Sequence, residues 1–152
     1  MFTQHAHGNW DIQLLESINI ILIKRSGAWN KEAALQYVDD FNQKVVPLIG
    51  KKWASVGYAV DYGLGVPEMD SIISELYREM VSNGCVCQTT VIKSALSAQH
   101  LARMASIKSE VYQLKFVNSP DQAVSFLKTL GFELPIEDFI QFIEKPYPDR
   151  FD

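Results

Sequence analysis

The sequence predicts an α/β fold built on a small mixed sheet, and three observations carry that prediction. Short apolar runs rich in β-branched residues recur along the chain. Amphipathic segments with three- and four-residue spacing separate them, and only a few residues join the first two runs. Strands that alternate with helices need crossover connections and so pair in parallel, whereas a short link joins antiparallel neighbours. With 152 residues, 47% of them apolar, the chain supplies one core rather than two. Residues 1–152 therefore read as a single domain, with its core over 10–132 and a C-terminal extension over 133–152.

Trp10, Ile12 and Leu14 alternate with Asp11 and Gln13, the period of a strand buried on one face only, and mark β1 near a sheet edge. Residues 18–23, from Ile18 to Ile23, are nearly continuous in β-branched side chains and predict β2, covered on both faces and antiparallel to β1. Ser26-Gly27-Ala28-Trp29-Asn30 closes that strand and opens α1. Asn30 is its N-cap, Glu32 sits in its first turn, and Leu35, Val38, Phe41, Val45 and Leu48 form its stripe. Residues 53–60 read as a central β3. Pro67 opens α2, whose stripe Met69, Ile72, Ile73, Leu76 and Met80 runs to a stop at Asn83-Gly84. Residues 86–92 are β4, and Ser94 caps a shorter α3 that buries Leu101 and Met104. Tyr112, Leu114 and Phe116 alternate with Gln113 and Lys115 across 111–117, a half-exposed edge strand, β5. Ser119-Pro120-Asp121-Gln122 is a capping box, and Ala123, Phe126, Leu127 and Leu130 make α4 up to Gly131. Residues 136–143 add a helix. The tail 145–152, with two prolines, is expected to be extended and to pack on the domain or on a neighbouring copy. The order β1-β2-α1-β3-α2-β4-α3-β5-α4 thus gives a five-stranded sheet, parallel apart from β1.

Composition narrows the function. A formal charge of −4, with fourteen Lys and Arg dispersed along the chain, disfavours nucleic acid, which needs a dense cationic face. Membrane insertion is not expected, because the run from Ile20 to Ile23 gives way at once to Lys24 and Arg25. The polar stretch from Met1 to Trp10 lacks the apolar centre of a secretion signal, and two cysteines make no disulfide framework. Both features point to a reducing cytoplasm.

In open α/β sheets, ligands and partners meet the loops after the carboxyl ends of the strands. Here those are residues 27–30, 61–67 and 93–97. Trp29, Asn30, Asp61 and Tyr62 are the expected docking surface for a protein partner, with Trp29, read as a loop aromatic, as its anchor. Asp61 has Lys93 as a candidate counter-charge but no second carboxylate in a motif, so it reads as a structural carboxylate rather than an acid or base. Lys93, Ser94 and Ser97 bring a cation, hydroxyls and helix-start amides together as a candidate anion site. Gly63-x-Gly65 lacks the third glycine of a dinucleotide loop, and Glu68 and Asp70 would repel a phosphate there. Cys85 and Cys87, two apart on a strand, are expected to face the same side as small apolar residues. No metal-ligand spacing surrounds them, and nothing links either to His100 as a base. His5-x-His7 lies in a polar arm without carboxylates to complete a metal site. The common catalytic signatures are missing, so the expectation is a non-enzymatic protein without cofactor or metal.

The order of elements and several residues resemble the STAS superfamily, the anti-sigma-factor antagonist fold, and within it the SpoIIAA-like bacterial proteins. The resemblance covers residues 10–130. It is carried by Gly27-Ala28-Trp29-Asn30 with Glu32, by Trp53-Ala54 and Ala59-Val60-Asp61, by Pro67-Glu68, and by Asp121-Gln122-Ala123 with Phe126-Leu127. It implies a regulatory module that docks a protein partner and admits a homodimer. In antagonists of this type a phosphorylatable serine begins α2 in an Asp-Ser-Ser-Gly setting. Here Asp70-Ser71 matches, while Ile72 and Ile73 replace the second serine and the glycine, so Ser71 is the phosphorylation candidate on an altered motif. A phosphate beside Glu68, Asp70 and Glu75 would release a partner by repulsion. The superfamily also resembles the CRAL-TRIO (Sec14-like) lipid-exchange domains. That implies the alternative of a small apolar-ligand carrier, its cavity lined by the α2 stripe.

Overall fold

The computed structural model describes residues 7–63, 67–105 and 110–149. Five strands, β1 (Asn9–Leu15), β2 (Ile20–Ser26), β3 (Trp53–Tyr58), β4 (Cys85–Val91) and β5 (Gln113–Val117), lie side by side in sequence order. β1 runs antiparallel to β2 and every other pair is parallel, as the connection lengths require. The helices are α1 (Lys31–Lys44), α2 (Asp70–Ser82), α3 (Ala95–Ala105), α4 (Pro120–Thr129) and α5 (Ile136–Glu144).

The apolar side chains divide by sheet face. Ile21, Ile23 and Trp53 share a core with α1, α2 and α3 through Phe41, Ile73 and Leu101. Ile20, Leu22, Ala54 and Val56 share the other core with α4 and α5 through Leu127, Phe139 and Phe142. Leu134, Phe139 and Phe142 are buried, so the segment expected as an extension outside the core in fact closes one of its two layers.

Four other expectations are corrected. β2 begins two residues later than expected and continues through Lys24 and Arg25, which are only 2% and 4% exposed. Ile18 is used in a 3₁₀ turn that ends at Asn19 with φ 57°, and pairing Asn9↔Ser26 to Leu15↔Ile20 then fixes the strand's length. Asp11 is buried as well, because the C-terminal segment covers the face of β1 expected to meet water. On α1 the buried residues are Ala33, Ala34, Tyr37 and Phe41, while Leu35 is half exposed. The Asn30 cap fixes the helix's phase, and that phase turns Tyr37 rather than Leu35 inward. Finally, Cys85 and Cys87 lie in different cores, because a register shift between Trp53 and Ala54 lets Trp53↔Cys85 be followed by Ala54↔Cys87.

The local stop and start signals operate as written. Asn30 accepts from Ala33 N at 3.0 Å, and Ser119 accepts from Gln122 N at 3.3 Å while the Gln122 side chain returns to Asn118 N at 2.7 Å. β5 is an edge strand with alternating exposure. Gly84, φ +108°, lets the chain pass Lys51 so closely that an added Cβ would stand 1.9 Å from the Lys51 carbonyl oxygen.

Candidate functional site

The turns after β2 and β3 and the starts of α1, α2 and α3 all gather at the carboxyl edge of the sheet, and the first two are stitched together. Gly27 N donates to Asp61 O at 3.0 Å, Gly63 N donates to Gly27 O at 3.0 Å, and Gly27 and Tyr62 form an isolated bridge. Asn30 also accepts from His7 N at 2.9 Å, which ties the N-terminal arm to the same edge.

Beneath these turns lies a box of aromatic rings. Trp29 stands 5.4 Å from Trp10, 5.2 Å from Tyr37 and 5.8 Å from Tyr62, centroid to centroid, and its indole N–H donates to Ser26 O at 3.1 Å. Such tilted and edge-on pairs each add about 0.5–1.5 kcal/mol beyond area burial. Trp29 is 2% exposed and Tyr62 5%, so the expected docking anchor is a core residue. The local sequence around Trp29 hides this, because its ring partners come from β1, α1 and the next loop. Asn30 is buried as a cap, and of the four expected docking residues Asp61 alone is exposed.

Arg25 projects into the box. Its guanidinium lies 5.1 Å from the Tyr62 ring centre and 5.9 Å from that of Tyr37, and it hydrogen-bonds Tyr77. Burial opposes its charge, but the surrounding Tyr77, Tyr37 and Tyr62 outweigh that and raise its pKa above the ordinary value. Tyr77 in turn accepts from Gln88 Nε2 at 3.4 Å, so a buried polar chain links β2, α2 and β4. Sequence reasoning missed this cluster. Alternation that begins at Trp10 brings Arg25 into β2 only through the register Leu15↔Ile20, which the turn at Asn19 sets.

At the rim, Ser71 is exposed in the first turn of α2, one turn nearer the helix start than expected, because residues 67–69 form a separate 3₁₀ turn. Asp70 beside it stands 3.2 Å from His100 Nε2, whose other ring nitrogen meets Arg103 Nη2 at 3.4 Å. Ser94 caps α3 by accepting from Ser97 N at 3.2 Å. Lys93 and Ser94 are exposed whereas Ser97 is buried, so the three expected anion-site residues do not converge. Among the described residues Asp61 and Lys93 form no ion pair.

Both thiols are sealed in. Burial pushes the Cys85 and Cys87 pKa values up to about 12 each, so neither is a thiolate near neutrality. The α2 stripe is packed, with Met69, Ile73, Leu76 and Met80 all at or below 3% exposure against the sheet. Among the described residues no group of three His, Cys, Asp or Glu side chains is placed to hold a metal, and no helix is long and apolar enough to cross a membrane. His5 and Gly65 lie outside the described residues.

No protein-family model and no curated protein matches the sequence. A solved structure does match. It is an uncharacterised protein of the DUF3478 family from Shewanella loihica PV-4, with a SpoIIAA-like fold. The two superpose with a TM-score of 0.62 at 11% identity, over 84% of this chain and 98% of that one. At that identity the likeness speaks for architecture. With the mixed sheet and its helices on both faces, it establishes that this chain has a SpoIIAA-like fold.

Proposed function

We propose that the protein is a non-enzymatic regulatory module that docks a protein partner on the carboxyl edge of its sheet. The observation that carries this reading is the construction of that edge. Two hydrogen-bonded turns stand on a close-packed aromatic box, and the edge they form with the starts of α2 and α3 presents Asp61, Glu68, Ser71, Lys93 and the 61% exposed Leu96 outward. A surface held in one conformation loses little entropy on binding, which suits recognition.

The groups that would do chemistry support the same reading. The two thiols, the nucleophiles nearest to hand, are buried and protonated. Ser71 is the modification point in this proposal. A phosphate there would add charge next to Glu68, Asp70 and Glu75 and weaken a docked partner by repulsion.

Photo-crosslinking tests the docking edge. A photoreactive residue at position 61 or 96, irradiated in lysate from the source cell, should capture one and the same protein. The same residue at Ile49, exposed beyond α1 at the opposite end, should not capture it. Capture of that protein from position 49 alone would refute the reading.

A further inference from the structure

Lys24 is a cation with 2% exposure near the carboxyl end of β2, on the face covered by α4 and α5. Its ammonium donates to the main-chain carbonyls of Ile143, at 3.4 Å, and of Lys145. It also lies 4.5 Å from the ring centre of Tyr147 and 5.5 Å from that of Phe142. All four belong to the end of α5 and the segment behind it. Asp11, 4% exposed, supplies a second fixed charge and pairs with Lys145 at 3.2 Å. Tyr147 hydrogen-bonds Ser26 and feels the charge of Asp61, so the segment reaches the docking edge itself.

Carbonyl oxygens and an aromatic ring are features that any extended Pro-Tyr-Pro segment presents, whichever chain it belongs to. Much of the present occupant stays exposed to solvent. Lys145, Pro146, Pro148 and Asp149 are exposed and residues 146–149 have no regular secondary structure. An open groove of about 420 Å³, lined by Gln13, Leu15, Asp138, Gln141, Phe142 and Lys145, runs beside its root. Segments with few buried contacts open at small free-energy cost.

We infer that residues 145–149 occupy, from within, a peptide-recognition cradle made by Lys24, Asp11 and Ser26, and that a partner docks by displacing them with an extended segment of its own. The charges of the cradle define that segment. A basic residue meets Asp11, carbonyl oxygens meet Lys24, and an aromatic side chain between prolines takes the place of Tyr147. The inference rests on the docking-module reading and names the chemistry of its partner.

The test is a titration of a fluorescein-labelled peptide, Glu-Lys-Pro-Tyr-Pro-Asp, with the full-length protein and with its full-length Tyr147→Ala variant, read by anisotropy. Tyr147→Ala loosens the internal competitor and leaves Lys24, Asp11 and Ser26 in place. It should bind the peptide about tenfold more tightly than wild type, since apparent affinity scales with the fraction of open cradles. Equal affinity for the two proteins, or binding to neither, overturns the inference. A peptide with alanine in place of its tyrosine should lose most of its affinity for the Tyr147→Ala variant, and undiminished binding would also overturn it. These readouts are independent of the crosslinks at positions 61 and 96, so failure of the docking edge and failure of the cradle are distinguishable.

Discussion

Truncation of Trp29 to alanine separates a core tryptophan from a surface anchor. The indole is 2% exposed, touches three other rings and donates a hydrogen bond to Ser26 O. Removing a buried Trp side chain costs about 3–5 kcal/mol, through lost transfer free energy and the cavity left behind. Collapse of the box is hindered here, because Trp10 and Tyr62 are held by strand pairing and by the Gly27 bridge. The upper half of that range, about 4 kcal/mol, is therefore expected. A domain of this size has about 5–15 kcal/mol in total and loses about 3 °C of Tm per kcal/mol, so the melting temperature should fall by about 12 °C. Urea and thermal unfolding followed by far-ultraviolet circular dichroism would measure this without relying on the deleted fluorophore. A fall of under about 3 °C, corresponding to about 1 kcal/mol, would refute the placement of Trp29 in the core.

Further expectations follow from single contacts. Asn30→Ala removes the acceptor for both Ala33 N and His7 N and should cost about 1–2 kcal/mol in urea unfolding. Gly84→Ala forces a side chain into a positive-φ position against the Lys51 carbonyl, and a loss of more than about 1 kcal/mol is expected by the same assay. Cys85 and Cys87 should resist a soluble disulfide reagent at pH 8 until the protein is unfolded. Fast labelling of the native state would contradict their burial. The same thiols bind their protons more tightly in the folded state, about 12 against an ordinary 9.0. Their stabilisation is therefore complete below pH 9 and is lost as pH rises through 12, and the urea midpoint should decline over that window rather than on acidification.

The legible parts of the fold were those decided within a few residues. Asn30 and Ser119 announce their helices because a cap is satisfied by an amide three positions on, and the edge character of β5 shows in Gln113 and Lys115 alternating with Leu114 and Phe116. The parts decided by distant partners were not legible. Lys24 and Arg25 looked like the end of a strand, yet β1 pairs them into the sheet, α5 covers the first and three tyrosines surround the second. Cys87 changed face through a one-residue register shift, which no local pattern marks. Trp29 reads as a loop aromatic for the same reason, since its environment is assembled from Trp10, Tyr37 and Tyr62. Topology alone places the turns after β2 and β3 at the carboxyl edge, and the residues exposed there are Asp61, Ser71, Lys93 and Leu96 rather than the aromatics beneath.

The most direct measurement is calorimetric titration of the crosslinked partner with three full-length variants, Asp61→Lys, Leu96→Asp and Ile49→Asp, each exposed at wild-type position. Docking on the carboxyl edge predicts that the first two weaken binding about tenfold or more, corresponding to about 1.4 kcal/mol, while the third leaves it unchanged. Loss of binding in Ile49→Asp with normal affinity in the other two would place the partner at the opposite end of the sheet and contradict the account.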